Sequence, residues 1–248
     1  TAQFAAMSTA NIANGLTTDQ IVAMKSSQFA SLSTGQIGAL SSNSIAAIET
    51  ADIVGISTAG IAALKSSQIA ALVTDQIATL STNQVVALTT AGVAGLTTDQ
   101  VVALTTAQAS ALSTQQVVAM STNAIAALET ADFAALKTAA VAGLTTNQMR
   151  ALTTDQVVAL TTAEANALSS AQVAALSTDA VAALQTADLA ALKTASFAGL
   201  NSAQVAALTT DQVNGLATAQ FAAMSTANIA AGLTTDQIVA MKSSQFAS

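Results

Sequence analysis

Histidine, cysteine, tyrosine, tryptophan and proline are all absent from this 248-residue chain. Each absence excludes some chemistry. Without His or Cys there is no imidazole base, no thiolate nucleophile and no soft or borderline metal site. Phe is the only aromatic, so stacking platforms for bases or sugars are lacking. Charge is scarce as well: 8% of residues carry one, against 52% hydrophobic, and the net charge is −7. The six basic residues, Lys25, Lys65, Lys137, Arg150, Lys193 and Lys242, are scattered and form no patch. Nucleic acid and anionic membrane surfaces, which need several cationic contacts together, are therefore not expected partners. Long apolar runs are missing too. Mean hydropathy is +0.57, yet stretches such as Val101-Val102-Ala103-Leu104 end at a Thr pair. A spanning helix needs roughly 20 apolar residues in succession, so no membrane span is expected.

What the sequence has instead is a period of eight. From Leu16 to Met224 a large aliphatic residue occupies every eighth position. The register reads [T/S]-[T/S]-x-Q-[V/I]-x-A-L, as in Thr97-Thr98-Asp99-Gln100-Val101-Val102-Ala103-Leu104. With these positions numbered one to eight, position five is always apolar, position seven is nearly always Ala or Gly, and position two is always Thr or Ser. A continuous helix cannot use this spacing. Eight residues at about 100° each advance about 800°, two turns plus about 80°, so the Leu stripe would wind around the axis. A strand is a poor fit, because positions five to eight do not alternate with period two.

A short helix restarted in every octad satisfies both facts. Ser or Thr at position one with Gln at position four is a capping box, and the preceding Leu with position five forms a hydrophobic staple. Position two is the other candidate for the N-cap, and its constancy favours it. All thirteen acids fall at positions one, three or four, near the start of such helices, and all five lysines fall at position one, just past the preceding helix. Both placements suit the helix dipole. Helices of about six residues do not hold alone. Positions five and eight share a face, so stacked octads would bury a continuous aliphatic core. The expected fold is thus all-α: a solenoid or superhelix of short capped helices, one per repeat, over residues 1–248. A β-solenoid is the alternative.

Two longer patterns overlie the octads. Residues 41–64, 121–144 and 177–200 are versions of one three-octad module in which position four is not Gln. Their offsets, 80 and 56 residues, suggest three to three and a half octads per turn. Residues 1–31 recur as 218–248 with one difference, Asn14 against Ala231, and both copies contain a nine-residue unit, Ser8–Leu16 and Ser225–Leu233. The expectation is a window on a longer periodic chain, with solenoid ends that associate head to tail into filaments.

Candidate sites are few. Glu49 with Asp52, and Glu129 with Asp132, place carboxylates three apart, with Gln185 and Asp188 in the third copy. Calcium ligation would suit hard oxygens, but the dense Asp/Gly loop is missing, and solvated helix-start acids are expected. The Thr pairs suggest either an ice- or surface-binding array or helix capping, and capping is expected. The Gln series (Gln100, Gln108, Gln116, Gln148, Gln156) is either a ladder between coils or the N3 half of each capping box, the latter being favoured. Arg150 is expected on a solvated face. No catalytic, cofactor-binding or metal-binding residue is assigned, no cofactor is expected, and an enzyme is not.

The segment LTTDQVVAL at 96–104 and 152–160 resembles the opening helix of a TAL-effector repeat. The second helix and base-reading loop of that family have no counterpart, so no DNA-binding residue carries over. Over nearly its whole length the chain resembles the octapeptide [S/T]-T-x-Q-[V/I]-x-A-L arrays of giant secreted or surface, adhesin-like bacterial proteins. That resemblance implies an exported structural stretch forming a fibre, stalk or filament at the cell surface or in the matrix. A module that binds polysaccharide, a partner cell or ice through its solenoid faces is the alternative.

Overall fold

A computed structural model describes residues 2–246. Among them are thirty α-helices of four to seven residues, one 3-10 turn and no strand. The α-solenoid is the fold, and the β-solenoid is set aside. The chain forms two compact units, one running up to Leu128 and the other from Glu129 onward.

From Thr18 to Ala222 each helix begins at position two and ends at five, six or seven, as in Thr98–Val102 and Thr106–Ala111. Position one is the N-cap. Thr97, with extended φ −79° and ψ 163°, accepts the Gln100 N–H on its hydroxyl, and Ser33 and Ser81 do the same for Gln36 and Gln84. This reverses the preference for position two. The reason lies in the spacing: Gln at position four is N3, within reach of the cap, only when position one is the N-cap. Position eight is also extended, with Leu88 at φ −58° and ψ 130°. Two extended residues per octad therefore interrupt the helix. No described residue has a positive φ, and the turn needs neither glycine nor proline. A proline at position one would lose the N–H that the capping box uses.

These helices are too short to persist alone, and packing supplies the rest. Within each unit, helices three apart in the chain lie against one another. In the first unit, the helix Thr74–Thr79 packs on Thr50–Ile53 and Thr98–Val102; in the second, Thr186–Ala191 packs on Thr162–Ala167 and Thr210–Gly215. From Ile21 to Met224 positions five and eight point inward: Ile69, Leu72, Val101 and Leu104 in one unit, Val173, Leu176, Val205 and Leu208 in the other, are all buried. Three positions separate them, so both fall on one side of a single turn.

Small residues at position seven have a visible purpose. A Cβ added at Gly95 would meet the Ser66 carbonyl oxygen at 2.8 Å, and at Gly199 the Ser170 carbonyl oxygen at 2.9 Å. The backbone of one coil thus passes close to the next, and it does so where position two of the earlier coil is serine. The same serines bond the following coil: the Ser66 hydroxyl donates to the Ala91 carbonyl at 2.9 Å, and the Ser170 hydroxyl to Ala195 at 2.9 Å. The Thr218 hydroxyl makes the same bond, to the Ser244 carbonyl at 3.5 Å.

Position six faces outward. Val102 is 46% exposed, whereas Leu104 is 6% exposed. Leu104→Asp is therefore expected to destabilise the first unit by several kcal/mol, the cost of burying an unpaired charge. Val102→Asp is expected to cost less than about 1 kcal/mol, as surface changes usually do. Urea unfolding of both variants, followed by circular dichroism, checks the difference.

Candidate functional site

The feature that recurs through both units is a buried glutamine at position four. Its side chain performs two tasks at once. The Gln100 Oε1 accepts the Thr97 backbone N–H at 2.9 Å, closing the capping box of its own helix. Its Nε2 donates to the carbonyls of Ile69 at 2.8 Å and Leu72 at 2.6 Å, at the end of the helix four octads earlier. Gln108 reaches Ile77 and Leu80 in the same way, Gln116 reaches Val85 and Leu88, and in the second unit Gln212 reaches Val181 and Leu184. Both readings of the Gln series hold together. An amide has an acceptor end and two donor hydrogens, and a buried one must place all of them.

These contacts fix the coil. Helices pack at a separation of three octads and are bonded by glutamine at a separation of four, so within each unit a turn takes between three and four octads. The nine-residue units test what sets this register. Gln84 reaches back 28 and 31 residues, to Ile56 and Ile53. Gln36 and Gln237, whose reach crosses a nine-residue unit, go back 29 and 32, to Met7 and Phe4 and to Leu208 and Val205. The partner is the same in every case, the helix four units earlier. The surplus residue is absorbed as one more residue of helix, in Thr9–Gly15 and Thr226–Gly232.

The acidic modules are not what solvated helix-start acids would be. Glu49 and Glu129 are exposed at position one, as expected. Their position-four partners are turned inward: Asp132 and Asp188 are buried, and Asp52 is half-buried. Asp52 Oδ1 accepts from the Ser26 backbone N–H at 2.5 Å and from the Ser26 hydroxyl at 2.7 Å. Ser26 opens a helix whose N-cap, Lys25, has no side-chain acceptor to offer. Asp52 therefore caps, from the following coil, a helix that cannot cap itself. The signal for it was the lysine at a capping position. Gln185 is exposed and donates to the Val158 carbonyl at 2.8 Å. Arg150 is exposed and donates to Asn147 Oδ1 at 3.1 Å. Among the described residues, no group of three or more carboxylates converges on a point that could hold a metal ion.

One pair of acids stands apart. Glu164 replaces glutamine at position four and is 2% exposed. Its Oε2 accepts the Thr161 backbone N–H and hydroxyl, both at 2.8 Å, so the capping half of the role survives. A carboxylate has no hydrogen to donate, so the inter-coil half does not. Asp188 lies on the adjoining helix. Burial raises its pKa above the ordinary 3.8, and the Glu164 charge raises it further.

The architecture defines a class: a tandem array of self-capping helices stitched by glutamine. The chain belongs to the ALTTAQ repeat family, whose description matches seven stretches, residues 14–42, 45–82, 78–106, 85–122, 125–162, 181–218 and 214–248. The hexapeptide stands unaltered at Ala103–Gln108, from the end of one helix through the capping box of the next. No curated protein matches the chain.

Two outcomes follow. Gln100→Leu removes the Thr97 acceptor and both donors to Ile69 and Leu72. It is expected to cost about 2 kcal/mol or more, since each buried polar group left unpaired costs about 1–3 kcal/mol. A lowered urea midpoint at unchanged slope would register it. For Asp188, a raised pKa means that the folded state holds the proton more tightly than the unfolded chain. Its contribution to stability rises as pH falls through the raised value, and the gain is complete below the unfolded value near 3.8. Asp188→Asn is expected to stabilise the second unit at neutral pH and to flatten that rise. Thermal unfolding of parent and variant across this range checks both.

Proposed function

We propose that the chain is a structural repeat stretch of an extracellular fibre, stalk or filament of the cell surface or matrix, and that it is not an enzyme. The glutamine ladder supports this reading most directly. The same two-ended bond recurs along both units, and it engages backbone carbonyls rather than particular side chains. A scaffold of this kind extends without reserving any coil for chemistry. Most carboxylates lie exposed along the helix starts, and the inward ones such as Asp52 and Glu164 are engaged in capping. The lack of Cys and the acidic surface suit an exported protein, and the scattered cations offer nothing to nucleic acid. No helix of the described residues is long and apolar enough to cross a membrane.

An adhesive face is the second reading. The three modules that interrupt the glutamine series are the decoration it would rest on. Their position-four aspartates are turned into the coil rather than displayed, which favours the structural reading.

Antibodies raised against the 248-residue chain and visualised by immunogold on producing cells test the assignment. Label on filaments or on the outer surface of intact cells is expected. Label that appears only after permeabilisation overturns it.

A further inference from the structure

In the second unit, position-four glutamines draw two carbonyls of an earlier coil toward one nitrogen. Gln212 Nε2 meets the Val181 carbonyl at 2.9 Å and Leu184 at 2.7 Å, and Gln204 Nε2 meets Leu176 at 2.8 Å and Val173 at 3.4 Å. In the same register, 31 and 28 residues before Glu164, stand the carbonyls of Phe133 and Leu136. With Glu164 Oε2 held in the capping box, Oε1 takes the place of that nitrogen. Three oxygens therefore converge where the glutamine coils put a donor between two acceptors. The Phe133 carbonyl accepts the Leu136 N–H at 3.1 Å, but the Leu136 carbonyl has no hydrogen-bond partner.

Asp188 adds its carboxylate from the adjoining coil. Its helix, Thr186–Ala191, packs on Thr162–Ala167, which carries Glu164, and the Glu164 charge is close enough to act on it. Asp188 is 4% exposed, and its carboxylate makes no hydrogen bond or ion pair. Asp52, at the same place in its own module, caps Ser26, whose helix has a lysine at the N-cap. The residue 26 before Asp188 is Thr162, and that helix is already capped by Thr161 and Glu164. Asp188 is thus left without a capping task. Two carboxylates are buried in adjoining helices with no cation paired to either, an arrangement that is costly unless something compensates the charge.

We propose that Glu164, Asp188 and the carbonyls of Phe133 and Leu136 form a calcium site. Every ligand is an oxygen, two carry charge, and two are backbone carbonyls aimed at one point. Calcium takes six to eight such ligands at about 2.3–2.6 Å in flexible geometry, with water completing its shell. Magnesium requires a nearly ideal octahedron and fits the set less well. The ion supplies the positive end that glutamine supplies elsewhere, and so ties three coils together where the amide is missing. Half of the ligands come from the backbone, so no acidic loop motif marks the site. The proposal rests on the coil alone and holds whether or not the chain belongs to a surface fibre.

Isothermal titration of calcium chloride into the chelator-treated 248-residue chain tests it. A single saturable site is expected, with a thermal midpoint that rises as calcium is added. Glu164→Gln restores the amide and its donors, and Asp188→Asn removes a buried charge, so both variants are expected to fold at least as well as the parent without calcium. Glu164→Gln is expected to abolish saturable binding, and Asp188→Asn to weaken it at least about tenfold. Asp155→Asn, at an exposed helix start, is expected to leave it unchanged. A parent chain with no saturable calcium binding, a site that persists unchanged in Glu164→Gln or Asp188→Asn, or one lost equally in Asp155→Asn would each overturn the proposal.

Discussion

The whole structure depends on the fact that a primary amide has two ends. A helix of about six residues leaves most of its backbone donors and acceptors without partners inside itself. In a long helix these orphans are a small fraction; here they are the majority. Position four resolves both ends of the deficit with one side chain. Its oxygen serves a donor at the start of its own helix, and its nitrogen serves two acceptors at the end of a helix one coil away. Asparagine imitates this where it can, as Asn228 does in reaching the Leu200 carbonyl at 2.8 Å. Glutamate keeps only the first half.

The ladder also explains a composition that looks at first merely impoverished. Turns are made by two extended residues rather than by glycine or proline, so neither is required for chain reversal. Glycine is left to tasks of proximity, as at Gly95 and Gly199. The core is narrow, and aliphatic residues fill most of it. Phe29, Phe133 and Phe197 are the bulkiest side chains completely enclosed.

Much of this was legible in the sequence. Positions five and eight are apolar in octad after octad, and a pattern so often repeated leaves little freedom about which face is buried. The outward position six could be read from its tolerance of Arg150. The N-cap could not be read, because hydroxyls occupy both candidate positions and only the reach of glutamine distinguishes them. The second role of that glutamine was weighed only as a rival to the first. Its partners lie 28 to 32 residues away, and no local motif marks a bond of that span. The inward turn of Asp52 was missed for a similar reason. Its partner, Ser26, belongs to another coil, and a carboxylate three residues from Glu49 reads locally as an exposed pair.

The nine-residue unit shows what the coil measures. Gln36 and Gln237 meet the carbonyls they would have met without the surplus residue, although the distance along the chain has changed. Register is kept by counting caps, not residues. A one-residue insertion inside a helix is confined to that helix, and every later coil closes on its proper neighbour. The gain or loss of a cap would shift the pairing of every coil around it. Lengths in such a protein are therefore quantised in helices, and two arrays that differ by stray residues but agree in their number of caps stack the same way.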